Sequence, residues 1–255
     1  MSNLRSERVL EYQVISSDID ECIEMVGGMI HRNFAATPIW MACLNPNSYV
    51  TAINDYRFAD ALHSADLLLP DGIGIVIASR IAGGSIARRI TGYDFFEGLH
   101  RKLDESNGVS IFLLGSSEHT LSLLREKLAA SHKNVRVAGV YSPPFLDTFP
   151  IEETEKMIAK INLSGADILW VALTAPKQEK WVADNISRLN VKFAGCVGAV
   201  FDFYAGTIVR SPRFFRAIGL EWLPRLAQEP KRLWRRTFIS GSIFAFRAIK
   251  FAIGI

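Results

Sequence analysis

Six short apolar runs punctuate the chain, at residues 39–44, 65–69, 109–114, 135–140, 168–173 and 191–197. Segments of helical reading lie between and around them, at residues 18–32, 48–63, 93–103, 118–131, 151–161 and 177–189. The runs lack the alternation of a half-exposed strand. A strand that is apolar on both faces must be covered on both, and helices packed above and below a mostly parallel sheet do this. The segment from Glu118 shows the matching pattern: Leu121, Leu124 and Leu128 recur at helical spacing while Arg125, Glu126 and Lys127 fall elsewhere, as in a helix with one buried stripe. With 49% hydrophobic and 22% charged residues, the composition is that of a folded globular protein. The pattern predicts an α/β fold with a mostly parallel sheet flanked by helices.

In such sheets ligands bind beyond the carboxyl ends of the strands, so the loops after each run are where chemistry is expected. Asp71 follows Leu67-Leu68-Leu69-Pro70 and precedes Gly72 and Gly74, at a point where backbone can approach a ligand closely. A helix N-cap is the competing reading for that aspartate. Gly115-Ser116-Ser117-Glu118 opens a helix, either as an anion-binding start or as an ordinary cap. Gln178 sits in Thr174-Ala175-Pro176-Lys177-Gln178 after a strongly apolar run; a helix start and a ligand contact fit it equally. Two glycines without a third fail the dinucleotide fingerprint, and no GxxxxGK[ST] phosphate loop is present. Asp18-Ile19-Asp20 has the form of a metal-holding DxD, but its place at a helix start favours acids complementing the helix dipole. The five histidines have no ligand spacing, so no metal and no cofactor is expected.

Charge is unevenly distributed. The net +3 is the balance of a mildly acidic body and a tail, from Arg210 onward, that carries ten Lys or Arg against Glu221 and Glu229. Such a tail implies an anionic partner or a solvated face. Arg225, Arg232 and Arg235 would share one face of a continuous helix, suited to gripping a diphosphate, unless Pro230 breaks it. Beyond them Phe238, Ile243, Phe244, Phe246, Ile249 and Phe251 mix with Arg247 and Lys250, a composition for lying in an anionic membrane surface and too interrupted to span one. No nucleic-acid module is present, and the apolar end favours lipid over nucleic acid. The start of the chain carries no secretory pattern, and three widely spaced cysteines argue against disulfides. The expected division is a catalytic α/β domain over residues 1–209 and a basic, apolar appendage over 210–255. An apolar tail is also compatible with a homo-oligomer.

Seven motifs, in order, resemble those of the WecG/TagA/CpsF family of bacterial glycosyltransferases. They are Asn45-Pro46-Asn47, Leu69-Pro70-Asp71-Gly72-Ile73-Gly74, Arg89-Ile90-Thr91-Gly92-Tyr93-Asp94, Leu114-Gly115, Ala175-Pro176-Lys177-Gln178-Glu179, Val197-Gly198-Ala199-Val200-Phe201-Asp202 and Leu220-Glu221-Trp222-Leu223-Pro224-Arg225-Leu226 with Glu229-Pro230-Lys231-Arg232. The resemblance implies a Rossmann-like core. It also implies an inverting, metal-independent transfer of a hexose or N-acetylhexosamine from a UDP-sugar to an undecaprenyl-diphosphate-linked sugar, in building a cell-surface polysaccharide at the inner face of the cytoplasmic membrane. Carried over by motif, Asp71 would be the general base, Asn45, Arg89 and Gln178 would contact donor or acceptor, and Arg225, Arg232 and Arg235 would stabilise the leaving diphosphate. Cys43 departs from the hydroxyl residue common at its position, and Thr91 and Tyr93 lie where substrate differences would register. Two other classes compete: a nucleotide-sugar oxidoreductase or epimerase, suggested by the α/β order alone, and a non-catalytic peripheral membrane module, suggested by the tail alone.

Overall fold

A computed structural model describes residues 4–32, 37–105, 108–217, 221–228 and 230–254, without the side chains of Ala217, Arg225, Ala227, Gln228, Arg232, Leu233 and Arg236. The chain opens with an antiparallel hairpin, β1 (Ser6–Val9) and β2 (Tyr12–Ile15), and helix α1 (Ile19–His31). Then follow β3 (Ile39–Leu44), α2 (Pro46–Asn54), α3 (Tyr56–Ser64), β4 (Leu67–Pro70), α4 (Ile73–Ile81), α5 (Gly92–Asp104), β5 (Val109–Gly115), α6 (Glu118–Ser131) and β6 (Val135–Tyr141). The second half holds α7 (Ile151–Ser164), β7 (Ile168–Ala172), α8 (Lys177–Asn185), β8 (Phe193–Cys196) and α9 (Val200–Ala205). It ends in α10 (Arg213–Ala217), α11 (Trp222–Gln228), α12 (Pro230–Trp234), a π-helical turn (Arg235–Ile239) and α13 (Ser240–Ala252).

Strands β3 to β8 form one six-stranded sheet in the order β4-β3-β8-β7-β5-β6, every neighbouring pair parallel. This is the α/β, Rossmann-like arrangement that the apolar runs predict. Side chains alternate between the two faces. Trp40, Ala42 and Leu44 enter a core shared with α2, α3, α4, α7 and α8, whereas Met41, Leu67 and Leu69 enter one shared with α1, α5, α6 and α9.

Local chemistry sets the helix limits. The run read as one helix over residues 48–63 is two, because Asp55 stops α2 and its carboxylate accepts the Phe58 N–H to start α3. Asp18 caps α1 in a reciprocal box with Glu21, which is the capping reading of the Asp18-Ile19-Asp20 motif. The hairpin, α4 and α9 are additions to the sequence reading.

Helix α13 has two faces. Phe244 and Ala248 are buried in the main core, with the Phe244 ring edge-on to Tyr49 at 5.4 Å. On its outer side Phe246, Ile249 and Ile253 are 55–63% exposed beside Lys250. It packs on α2 and α4, and α4 itself leaves Ile73, Ile77 and Ile81 exposed at successive helical turns. Among the described residues no helix is long and apolar enough to cross a membrane.

Candidate active site

Strand order decides which loops meet. β3 lies between β4 and β8, and β8 lies between β3 and β7, so the loops after these four strands share one rim. After β3, Asn45 Oδ1 accepts the N–H groups of Asn47 (3.1 Å) and Ser48 (2.9 Å), while the Ser48 hydroxyl accepts the Asn45 N–H (2.7 Å). That box starts α2 and uses the carbonyl oxygen of Asn45, not its Nδ2 hydrogens. After β4, the Asp71 N–H donates to Leu44 O at 2.8 Å, tying the two turns together. Gly72, at φ 111°, is the N-cap of α4 and supplies no side-chain bond. Asp71, half-buried, stands one residue before that N-cap position. A Cβ on Gly74 would lie 2.6 Å from Pro46 Cγ; the glycine lets the starts of α2 and α4 touch. Asn45 and Asp71 thus stand side by side, with the Asn45 Cβ 3.8 Å from where a side chain on Gly72 would begin.

From the β7 side come Gln178 and Glu179, in the first turn of α8, 5% and 3% exposed. The Gln178 Nε2 donates to Glu179 Oε1 at 2.8 Å. Burial pushes the Glu179 carboxyl up to about 7, against which the Gln178 hydrogen bond works. The Cys43 thiol, at the end of β3, is held well above its ordinary range by burial and then by the charges of Asp71 and Glu179, while the Gly92 N–H bonds to its sulfur. Cys196 is raised by burial, then by Glu179 and Cys43. These mutual influences place Asp71, Cys43, Glu179 and Cys196 in one cluster at the strand ends. Glu179 is the residue that sequence reasoning passed over. Its signal is an acid three residues before Val182, on the inward stripe of α8.

The other loops support this rim. Ser116, at φ 60°, and Thr120 donate to Asp202 Oδ1, each at 3.2 Å, which binds the start of α6 to α9. Ser117 caps α6 through the Thr120 N–H, the capping reading of that serine. Ile90 donates its N–H to Pro70 O at 2.9 Å, so Arg89 stands next to the β4 end. The Arg89 guanidinium bonds Glu221 at 3.0 Å and Arg216 O at 2.8 Å. Arg210 takes the other Glu221 oxygen at 3.2 Å, reaches Asp94 at 3.1 Å and lies 4.0 Å over the Tyr93 ring. Arg89, expected to touch donor or acceptor, thus joins the body to the appendage. In the tail, α11 ends at Gln228 and Pro230 begins α12, so the single-helix stripe gives way to two short helices. Arg235 is exposed at the head of the π-helical turn; the side chains of Arg225 and Arg232 lie outside the described residues. Among the described residues no group of three or more His, Cys, Asp or Glu is placed to hold a metal ion.

A profile of the glycosyl transferase WecG/TagA/CpsF family matches residues 7–254. The chain belongs to this family. It is 33% identical, over 192 residues, to the N-acetylglucosaminyldiphosphoundecaprenol N-acetyl-beta-D-mannosaminyltransferase of Bacillus spizizenii strain W23, covering 75% of this chain and 72% of the relative. The enzyme of the same name from Bacillus subtilis strain 168 is 32% identical over 197 residues, covering 77% and 73%. The protein is therefore a glycosyltransferase.

Glu179 makes the rim pH-sensitive. A buried carboxyl with a raised folded-state value stabilises the fold in its neutral form; that stability is full below the unfolded value near 4.5 and is lost as pH rises to about 7. Chemical denaturation should show Glu179→Gln gaining on the wild type from pH 5 to 8, by on the order of a few kcal/mol. Parallel stability curves would contradict a carboxyl raised by burial.

Proposed function

We propose that this glycosyltransferase moves a hexose or N-acetylhexosamine, of the N-acetylmannosamine or glucose type, from a UDP-sugar to a sugar carried on undecaprenyl diphosphate, in assembling a cell-surface polysaccharide. The observation that carries the reading is the placement of Asp71 at the β4 end beside Asn45, on one rim with Gln178 and Glu179, in a chain that is about a third identical, over three quarters of its length, to two transferases named for such an acceptor.

Asp71 is the general base. Its carboxylate takes the proton of the acceptor hydroxyl as that oxygen forms its bond to the anomeric carbon. The bond from that carbon to the diphosphate oxygen breaks with its electron pair, and UDP leaves from the opposite face, inverting the anomeric configuration. Asn45, Arg89 and Gln178 contact donor or acceptor. Negative charge growing on the diphosphate is met by Arg225, Arg232 and Arg235, fixed cations that take the part a metal plays in other transferases. Arg89 exchanges its Glu221 partner for ligand.

The enzyme works as a peripheral protein on the inner face of the cytoplasmic membrane. Support comes from the outer face of α13, which carries Arg247 and Lys250 among its apolar residues, and from the exposed Ile73, Ile77 and Ile81 of α4. An apolar helix face that carries cations suits a bilayer with anionic headgroups.

Two assays test this reading. Radiolabelled transfer from UDP-N-acetylmannosamine to a short-chain N-acetylglucosaminyl-diphospholipid should fall at least about 100-fold in Asp71→Asn, with UDP binding retained and no effect of chelator on the wild type. Undiminished Asp71→Asn turnover would remove the base assignment, and abolition by chelator would remove metal independence. Flotation with vesicles containing phosphatidylglycerol should carry the wild type upward and leave Phe246→Asp/Ile249→Asp at the bottom; equal flotation would place the membrane contact elsewhere.

A further inference from the structure

Two buried oxygens in the first turn of α8 lack a hydrogen-bond partner among the described residues: Gln178 Oε1 and Glu179 Oε2. Unmet buried acceptors are costly and call for an explanation, one being a partner that arrives from outside. The bond from Gln178 Nε2 to Glu179 Oε1 fixes how the amide is turned, nitrogen toward the acid and oxygen away. The amide lies against Gly198, at φ 57°, where a Cβ would stand 3.7 Å from Nε2 and 3.8 Å from Oε1. The β8 loop therefore faces it with bare backbone, at the ligand-binding edge of the sheet.

We propose that Glu179 is a positioning residue: its carboxylate holds the Gln178 amide nitrogen and so presents Gln178 Oε1 as an acceptor for a hydroxyl or imide N–H of the sugar-nucleotide donor. This deepens the transferase reading and rests on it. An ionised carboxylate only accepts hydrogen bonds, so it keeps Gln178 in this orientation. Once protonated, Glu179 donates as well, turns the amide over and occupies the oxygen meant for the ligand. The groups that feel its charge are the Cys43 thiol from β3 and the Cys196 thiol from β8, and Cys43 in turn feels the Asp71 carboxylate after β4. Burial keeps both thiols neutral around pH 7, which leaves Glu179 as the buried group of this cluster that changes charge there.

Calorimetric titration of the full chain with UDP-N-acetylmannosamine tests the assignment. For the wild type, Kd should rise several-fold as pH falls through about 7. Glu179→Gln, which keeps the size and an acceptor oxygen, should bind with no such step. Glu179→Met should weaken binding roughly tenfold at every pH, the worth of one oriented hydrogen bond. It should add nothing further in a Gln178→Ala background, since the two residues act as one unit. UDP alone should show the same loss if the imide N–H is the contact, and none if a sugar hydroxyl is. A Glu179→Gln profile that keeps the wild-type step, or additive losses in the double variant, would overturn the proposal. A wild type that binds no UDP-sugar would overturn the transferase reading as well, and is told apart by that null titration.

Discussion

Strands β4, β5, β7 and β8 have no residue that is even half exposed. Everything polar that the sheet positions must therefore lie at its ends, because a charge within the strands would be desolvated between two helical layers with no partner. Parallel pairing points all six carboxyl ends the same way. The order β4-β3-β8-β7 then brings the turns carrying Asn45, Asp71, Gln178 and Gly198 onto one edge, although their positions in the chain span more than half its length. Glycine makes the closeness possible: Gly74 admits Pro46, and Gly115, at φ 108°, has Ala172 O within 2.6 Å of where a side chain would start.

The same edge concentrates buried ionisable groups. Glu179 is kept by burial in a site that favours its neutral form, with thiols on two neighbouring strands. On the far side of the β4 end, Arg89 and Arg210 divide the two oxygens of Glu221. Both guanidiniums and the acid are largely shielded, at 11–17% side-chain exposure, where losing one member strands the others without a partner. This network, with Phe244 and Ala248 packed in the core, holds the basic tail against the α/β body.

The sheet was legible in the sequence because burial on both faces writes itself as uninterrupted apolar runs; the run at residues 39–44 coincides with β3, and those near β5 and β7 differ by one residue. Helix limits were less legible where a single side chain decides, as Asp55 does in splitting the 48–63 segment. The hairpin escaped notice because each of its strands has four residues, too few to show a period. Asp71 and Gln178 stood out as polar residues after apolar runs and Asn45 by its family motif, and the structure gathers them at one edge of the sheet. Glu179 did not, since an acid in a helix ordinarily faces water, and only packing shows this one turned inward. For Arg89 the motif marked a substrate contact, whereas Glu221 comes from a part of the chain 132 residues away, a pairing that no local pattern carries.

Donor binding at the strand-end rim is the proposal on which the assigned residue roles depend. Amide hydrogen exchange of the full-length protein, with and without saturating UDP-sugar, tests this without assuming any one residue's role. Protection should concentrate in the turns at residues 44–48, 70–74, 174–180 and 197–202 and in the tail at 221–236. Protection confined to the opposite edge of the sheet, or to the outer faces of α1 and α6, would contradict it.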